Sequence, residues 1–478
     1  MDAERPRAGT DGGEVPSRAP TVPVGGTDVP IDPEDAVKVF GSRSFRRLWF
    51  AQLASSLGDW VGIIAIIALA ARIQGGSSPE AAIGLVLSAR MVPGFFLGPV
   101  AGVLVDRLDR KRVMVVCDIG RGLVLATLPW VDTVFGLVLA SLVLEVLTQL
   151  WAPAKEASVP NLVPTSRLPT ANSLSLAAAY GTFPVGSALF AGLAGVAVWL
   201  GGEHGTGLFA EQENLAIFVD VLTFFISALL ISRLALPRGD RQVKHDDVGA
   251  IGSSLRDLRE GFRFITQSRL VRAVMLAIAT GLIGGGMLVP LGPPFAERVL
   301  GGGSAAFGLL LTALGSGVAV GVIGLSVFQS RLPAPQVFVF SVFGAGVCII
   351  SGAAMTSLRG AIVFVALLGV FAGSVYVVGF TILQTSVADE MRGRIFATLF
   401  TVVRFCLLLA FTVAPFLSTF LDRMSKRFFD RSVTVLGADV ALPGTRLTLW
   451  LGGLIILAAG AVALLAFRGG RTAETSPA

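Results

Sequence analysis

The sequence predicts an all-α membrane protein of about twelve transmembrane helices in two pseudo-symmetric six-helix halves. Hydrophobic residues make up 53% of the chain and charged residues only 15%, with a mean hydropathy of +0.76, outside the range of soluble proteins. Apolar runs recur almost end to end, each close to the ~20 residues that cross ~30 Å of hydrocarbon. The cations sit in short gaps between these runs, where they orient helices and meet anionic head groups. A net charge of +6 and a pI near 9.7 therefore point to a lipid bilayer as partner and not to nucleic acid.

Residues 1–40 are rich in Pro, Gly and charge and lack an apolar run, so they read as a disordered cytoplasmic tail, not a signal peptide. The first bundle, 41–236, holds spans at 47–73, 81–105, 113–131, 134–152, 171–200 and 214–236. A cytoplasmic linker follows at 237–268, in which Leu255, Leu258, Phe262 and Ile265 recur at helical spacing among charges. That pattern predicts an amphipathic helix lying on the membrane face. The second bundle, 269–468, holds spans at 270–296, 304–330, 335–356, 360–382, 395–421 and 447–467, and 469–478 form a cytoplasmic tail. Prolines at 93, 184, 290 and 415 fall inside spans, where they kink helices that neighbours can re-satisfy.

Orientation follows from the Lys/Arg bias. An inside amino terminus puts Arg107, Arg110, Lys111, Arg112, Lys155, Arg167, Arg331, Arg392 and Arg394 on the inner side. Both termini are then cytoplasmic, in the inner (plasma) membrane. One outer loop, 422–446, runs against the rule with Arg423, Lys426, Arg427, Arg431 and Arg446.

The halves repeat at one offset. Gly84-Leu-Val-Leu-Ser-Ala89 opens the second span, and Gly308-Leu-Leu-Leu-Thr-Ala313 opens the eighth, 224 residues later. Ser44-Phe-Arg-Arg-Leu48 and Ser268-Arg-Leu-Val-Arg272 match at the same offset. Parallel six-helix halves are a transporter architecture whose substrate site lies near the midplane between them.

Charge inside the spans is expensive, about 2.5–3.5 kcal/mol per residue even on lenient scales, so each case is a functional candidate. Asp59 and Arg90 reach similar mid-membrane depth in spans 1 and 2 and are placed to pair. Arg121 in span 3 and Glu145 in span 4 also share a depth, and Asp118 is one turn from Arg121. Arg404 lies deep in span 11 and Asp220 near the outer end of span 6. Such a carboxylate either exchanges a proton as its Arg partner engages and leaves, or holds helices in register as a static pair. For Asp59 and Glu145, proton coupling or direct substrate contact stands evenly against the static pair, and Asp118 and Asp220 fit the static reading better. For Asp59 a helix break at Leu57-Gly58-Asp59-Trp60, with the carboxylate bonded to freed backbone, is a further alternative.

No catalytic residue, metal or cofactor is expected. Cys117, Cys348 and Cys406 fall in apolar segments without ligand spacing, and His204 and His245 lie in loops, so the cysteines read as small core residues. Phe95, Phe183, Phe224, Phe371 and Phe380 are candidates for an apolar cavity lining, against the plainer reading of packing.

The gap between spans 2 and 3 reads Gly102-Val-Leu-Val-Asp106-Arg107-Leu-Asp109-Arg110-Lys111-Arg112. Gly98 and Gly102 allow close helix approach, and Asp106 stands where a carboxylate can meet a helix amino terminus or an Arg. A plain positive-inside turn is the alternative. Together with Phe45-Arg-Arg-Leu-Trp49, Ser56-Leu-Gly-Asp-Trp60, Arg90-Met-Val-Pro93, Asp118-Ile-Gly-Arg121, Pro160-Asn-Leu-Val-Pro164 and Arg392-Gly-Arg394, this segment resembles the major facilitator superfamily. It is most similar to the enterobactin-exporter and macrolide-efflux branch of drug:proton antiporters. The resemblance implies the major facilitator fold, alternating access, and a conformational gate at Gly98, Gly102, Asp106, Arg107 and Arg110. Asp109 replaces the glycine often found after the Asp-Arg pair, and the second half has no matching aspartate. Gly181-Thr-Phe-Pro184-Val-Gly186 partly resembles the superfamily's antiporter motif, without its full double-glycine pattern.

The resemblance implies a monomeric secondary transporter, not an enzyme, that exports an amphiphilic small molecule in exchange for protons. No phosphate-cradling Gly-x4-Gly-Lys-Ser/Thr loop is present for ATP drive. The alternatives on the same fold are a small-metabolite importer or facilitator and a lysolipid flippase. A membrane sensor without transport is the alternative of another class.

Overall fold

The computed structural model describes residues 21–24, 27–30, 40–73, 78–164, 167–201, 211–236, 263, 268–328, 333–387, 389–429, 431–435 and 438–474. Twelve helical segments among them are long and apolar enough to cross a membrane. In the first half these are α1 (Arg43–Arg72), α2 (Pro79–Arg107), α3 (Arg110–Thr127), α4 (Val134–Ser158), the pair α5 (Leu168–Tyr180) and α6 (Phe183–Gly201), and α7 (Gln212–Ser232). The second half repeats the pattern with α8 (Arg269–Gly286) and α9 (Leu288–Arg298), α10 (Gly303–Phe328), α11 (Ala334–Ala354), α12 (Leu358–Ser386), α13 (Asp389–Phe429) and α14 (Gly444–Glu474).

Helix starts are fixed by capping side chains. Ser42, Ser78, Asp109, Thr133, Ser268 and Ser357 each accept a bond from the backbone N–H three residues on, satisfying a donor the helix itself cannot. The repeat read from the sequence holds in three dimensions: α2 and α10, α3 and α11, and α4 and α12 each begin 224 residues apart. Two spans are broken. Pro184 and Pro290 fall in the first turns of α6 and α9, where a missing N–H costs no hydrogen bond. By contrast, α2 and α13 run unbroken through Pro93 and Pro415.

With twelve spans the start of α1 and the end of α14 lie on one face, called here the terminal face. Buried apolar side chains from both bundles, among them Leu69, Phe190, Phe338 and Phe411, form one continuous core. The halves meet along two pseudo-equivalent seams. At the first, Gly84 of α2 lies against the Phe411 carbonyl and Pro415 of α13; at the second, Gly308 of α10 lies against Phe190 and Ala191 of α6. The glycine pair that marks the repeat thus serves the same purpose twice, letting a helix of one bundle touch the other.

Three boundary readings change. The amino-terminal tail contains an antiparallel hairpin, β1 (Thr21–Val24) with β2 (Thr27–Pro30), where disorder was expected. The carboxy-terminal tail is helical as far as Glu474, because α14 continues past 468. The loop 422–446 is largely ordered: α13 extends to Phe429 and a second hairpin follows, β3 (Ser432–Val435) with β4 (Ala438–Ala441). The expected amphipathic helix of the linker lies outside the described residues, as do His204 and His245.

Arg446 accounts for part of the charge anomaly in that loop. Its guanidinium is fully buried and donates to the carbonyls of Ala353 at 2.8 Å, Met355 at 3.1 Å and Ala441. It therefore caps the end of α11 and ties down β4, as a cation at a helix carboxy terminus does. Arg431 pairs with Asp422. Two of the five misplaced cations are structural.

Candidate functional site

The densest set of buried charge lies inside the first bundle. Asp118 and Arg121 share a face of α3, being three residues apart, and form a direct ion pair with both side chains at most 2% exposed. The other Asp118 oxygen accepts from Ser227 Oγ of α7 at 2.7 Å. Arg121 also reaches Asp59 of α1, Nη1 to Oδ1 at 3.7 Å, and that carboxylate is 40% exposed. The guanidinium plane is enclosed by Phe224 at 4.3 Å and Trp151 at 5.2 Å, a cation–π arrangement worth ~0.5–2 kcal/mol per ring. Arg121 Nε has no partner among the described residues. One cation is thus held firmly by a buried acid and loosely by a reachable one.

This geometry exchanges the partners expected from depth alone. Asp59 pairs with Arg121 and not with Arg90, while Arg90 meets Glu145 at 3.9 Å, in place of an Arg121–Glu145 pair. Depth fixes how far along a helix a residue lies, but the azimuth around each helix selects its partner. The alternative of a helix break at Asp59 is also overturned, since α1 is continuous from Arg43 to Arg72.

Asp220 of α7 takes a different role. It is 1% exposed, accepts from Thr223 Oγ1 at 3.2 Å, and makes no ion pair among the described residues. Its two oxygens lie on the bare backbone of Gly58 and Gly62, so close that a Cβ at either glycine would stand within 2.2 Å of them. These glycines flank Asp59 on α1 and are what allow α7 to carry a carboxyl there.

A second polar network lies at the seam between the halves. Glu145 accepts from Gln149 Nε2 at 2.7 Å, and both belong to α4. Arg404 of α13 crosses to α2 and donates to the Gly94 carbonyl at 3.3 Å. Toward the face remote from the termini, the halves are joined by Ser88 and Thr412 at 2.9 Å and by an ion pair of Arg298 with the buried Glu80 at 2.6 Å. These two contacts tie the halves together toward that remote face.

The motif residues divide. Gly181 caps α5, and Gly186 lies against Trp60 and the Leu57 carbonyl of α1. Trp60 Nε1 donates to the Ala179 carbonyl at 3.1 Å, and Pro184 packs on Gly315 of α10. The interrupted fifth span thus sits between Asp59's helix and the other half. In the loop after α2, Asp109 caps α3, Arg110 donates to the Ala157 carbonyl of α4 at 2.7 Å, and Lys111 to the Leu234 carbonyl beyond α7 at 2.8 Å. The side chains of Asp106 and Arg107, and the surroundings of Gly98 and Gly102, lie outside the described residues.

Of the five phenylalanines, Phe224 packs on Arg121, Phe183 on Trp60, Phe371 on Phe340, and Phe380 in a cluster with Tyr376, Phe396 and Phe400; Phe95 is half-buried. An apolar cavity of about 30 Å³ between α9, α10, α11, α12 and α14 lies wholly within the second bundle and touches none of the charged groups. Gln149, Ser227 and the Glu80–Arg298 pair went unread in the sequence. The first two are ordinary polar residues within spans, and Glu80 and Arg298 sit at span ends where charge is unremarkable.

Residues 36–409 match the family model described as transmembrane secretion effector. The chain is 29% identical over 226 residues to the uncharacterized MFS-type transporter YfiS of Bacillus subtilis, covering 47% of this chain and half of that protein. It is 26% identical over 355 residues to the multidrug efflux pump Tap of Mycobacterium tuberculosis, covering 72% of this chain and 80% of the pump. Macrolide efflux protein A of Streptococcus pyogenes is 24% identical over 367 residues, with 74% and 84% covered. In fold the chain is similar to a bacterial homologue of the human lysosomal transporter Spinster in an inward-facing, unoccupied conformation, with a TM-score of 0.69 at 16% identity over 92% of this chain and all of that one.

Proposed function

As this chain belongs to the transmembrane secretion effector family of major facilitator transporters, we propose that it exports an amphiphilic small molecule across the plasma membrane in exchange for protons. It does so as a monomer with both termini cytoplasmic. The observation that carries the reading is the unequal sharing of Arg121 between Asp118 and Asp59. A proton arriving at Asp59 Oδ1 neutralises that carboxylate and releases it from Arg121. The guanidinium is not stranded, because Asp118 still holds it in its aromatic enclosure. Removing both acids would leave a buried unpaired charge, at a cost of several kcal/mol. Asp59 is thus the partner that can leave.

Its release frees α1 against the broken fifth span, since Trp60 and Leu57 bear on Ala179 and Gly186 there. A broken helix absorbs a change of angle that a continuous one resists. Opening of the remote face then requires the Glu80–Arg298 pair and the Gly84 seam to part. The Asp106 motif acts as the opposing latch at the terminal face, with no counterpart in the second half to replace it. The multidrug pump and macrolide efflux protein among the relatives support export over uptake.

The test is transport in proteoliposomes with an imposed pH gradient, using a panel of hydrophobic cations and siderophores. The wild type moves at least one compound in a gradient-dependent way, and Asp59→Asn loses that dependence. Gradient-independent movement by the wild type, or unchanged coupling in Asp59→Asn, overturns the proposal.

A further inference from the structure

Arg404 stands in the apolar middle of the fold without a carboxylate partner among the described residues. It belongs to the candidate span Thr398–Phe428, yet its one hydrogen bond among the described residues is to the backbone carbonyl of Gly94, at 3.3 Å. Gly94 is about halfway along α2, and Gln149 about halfway along α4, so the contact lies near mid-membrane. An isolated guanidinium at that depth is costly, and such residues face a cavity or a ligand.

The surroundings are those of a binding site and not of a structural pair. A Cβ built on Gly94 would stand 3.2 Å from Gln149 Nε2 and 3.6 Å from Arg404 Nη1. The amide of one half and the guanidinium of the other therefore converge over the same glycine. The side chain of Arg404 is exposed, with its guanidinium at the Gly94 carbonyl of the other half. One turn before Gly94 on α2, Arg90 meets Glu145 only at 3.9 Å, and Glu145 is already engaged by Gln149. The network thus holds two guanidiniums, one carboxylate and one amide, an excess of one cation. Its members come from both bundles, at the depth where a transporter of this architecture holds its cargo.

We propose that Arg404, with Gln149 and Arg90, is the subsite for an anionic group of the transported molecule, so that the cargo is an acidic amphiphile bearing a carboxylate or similar oxyanion. The anion takes the fork of Arg404 from the second bundle and the amide of Gln149 from the first, tying the halves together through the cargo. Guanidinium suits this task because its planar donors match a carboxylate's two oxygens. An anion arriving there also competes with Glu145 for Arg90, which links cargo occupancy to the charge of the first bundle.

This inference rests on the exporter reading, and the two fail separately. Binding is measured on purified protein in nanodiscs of phosphatidylcholine with a dansylated aminododecanoic acid and its primary amide. These share one apolar body and differ only in charge. The wild type binds the acid on the order of tenfold more tightly than the amide, the range of a charge-assisted hydrogen bond. Arg404→Gln removes that preference and leaves amide binding in place, and Arg404→Lys restores part of it. Equal binding of acid and amide by the wild type, or an acid preference that survives Arg404→Gln, overturns the subsite. Loss of the preference when phosphatidylglycerol replaces phosphatidylcholine also overturns it, by assigning the site to a lipid head group. If acid preference is intact but neither the dansylated acid nor any compound of the panel moves with the pH gradient in proteoliposomes, the exporter reading has failed and the anion site has not.

Discussion

Asp118 and Asp59 approach the same guanidinium, yet neutralising them should have opposite consequences. Asp118→Asn keeps an oxygen for Ser227 but removes the charge that directly faces Arg121. Breaking a buried pair costs about 3–5 kcal/mol, and Asp59, at 3.7 Å, can recover part of it by closing in. The net loss is about 2–4 kcal/mol. Asp59→Asn removes only a long contact to a carboxylate that is 40% exposed, the regime in which pairs contribute about 0–1 kcal/mol. The assay is reversible unfolding of each purified variant in mixed micelles by SDS titration, run beside proteoliposome transport. Asp118→Asn shifts the unfolding midpoint strongly; Asp59→Asn leaves it nearly in place and abolishes gradient dependence. Equal destabilisation by the two substitutions would refute the division into a holding and a leaving acid. So would an Asp118→Asn midpoint within error of wild type.

Three further outcomes follow from the same geometry. Glu80→Gln breaks the ion pair to Arg298 at the remote face; with Glu80 buried and Arg298 half exposed, a loss of about 1–2 kcal/mol raises the population open at that face roughly 5–30-fold, read as a longer distance between spin labels placed across it. Gly84→Ala puts a methyl 2.5 Å from the Phe411 carbonyl, and since backbone cannot give way as a flexible side chain can, this seam parts and the same label pair lengthens, whereas Gly192→Ala, with open space around it, leaves the distance unchanged. Arg446→Gln strips its charge from the three carbonyls it serves and destabilises the second bundle by about 2–4 kcal/mol, while Arg423→Gln on the exposed end of α13 stays within about 0.5 kcal/mol of wild type in the same SDS titration.

Much of the fold is legible in the chain because a bilayer imposes a one-dimensional rule. Every span must be apolar for about the same length, and every helix needs its caps. The predicted span at 134–152 and the observed α4 therefore begin at the same residue, and the Gly84–Gly308 match announced the equivalence of two seams. Boundaries drifted where a helix outran the membrane, as α13 does to Phe429. Beyond the hydrocarbon no apolar rule marks the end.

The polar site was legible as a set of residues but not as a set of contacts. Intramembrane charge is rare enough that Asp59, Arg90, Asp118, Arg121, Glu145, Asp220 and Arg404 declared themselves. Asp118 and Arg121 also declared their pairing, because three residues on one helix fix azimuth as well as depth. Across helices the sequence supplies depth alone. Helix rotation, set by glycines such as Gly58, Gly62 and Gly94 meeting side chains of neighbouring helices, decided that Arg121 takes Asp59 and Arg90 takes Glu145. By itself the chain determined a twelve-span machine in two halves, since hydrophobic length and repetition are properties of order along a line. Only the tertiary structure decided which acids meet Arg121, and at what distance, and which arginine stands without a carboxylate among the described residues. Those depend on which faces of separate helices are turned toward each other.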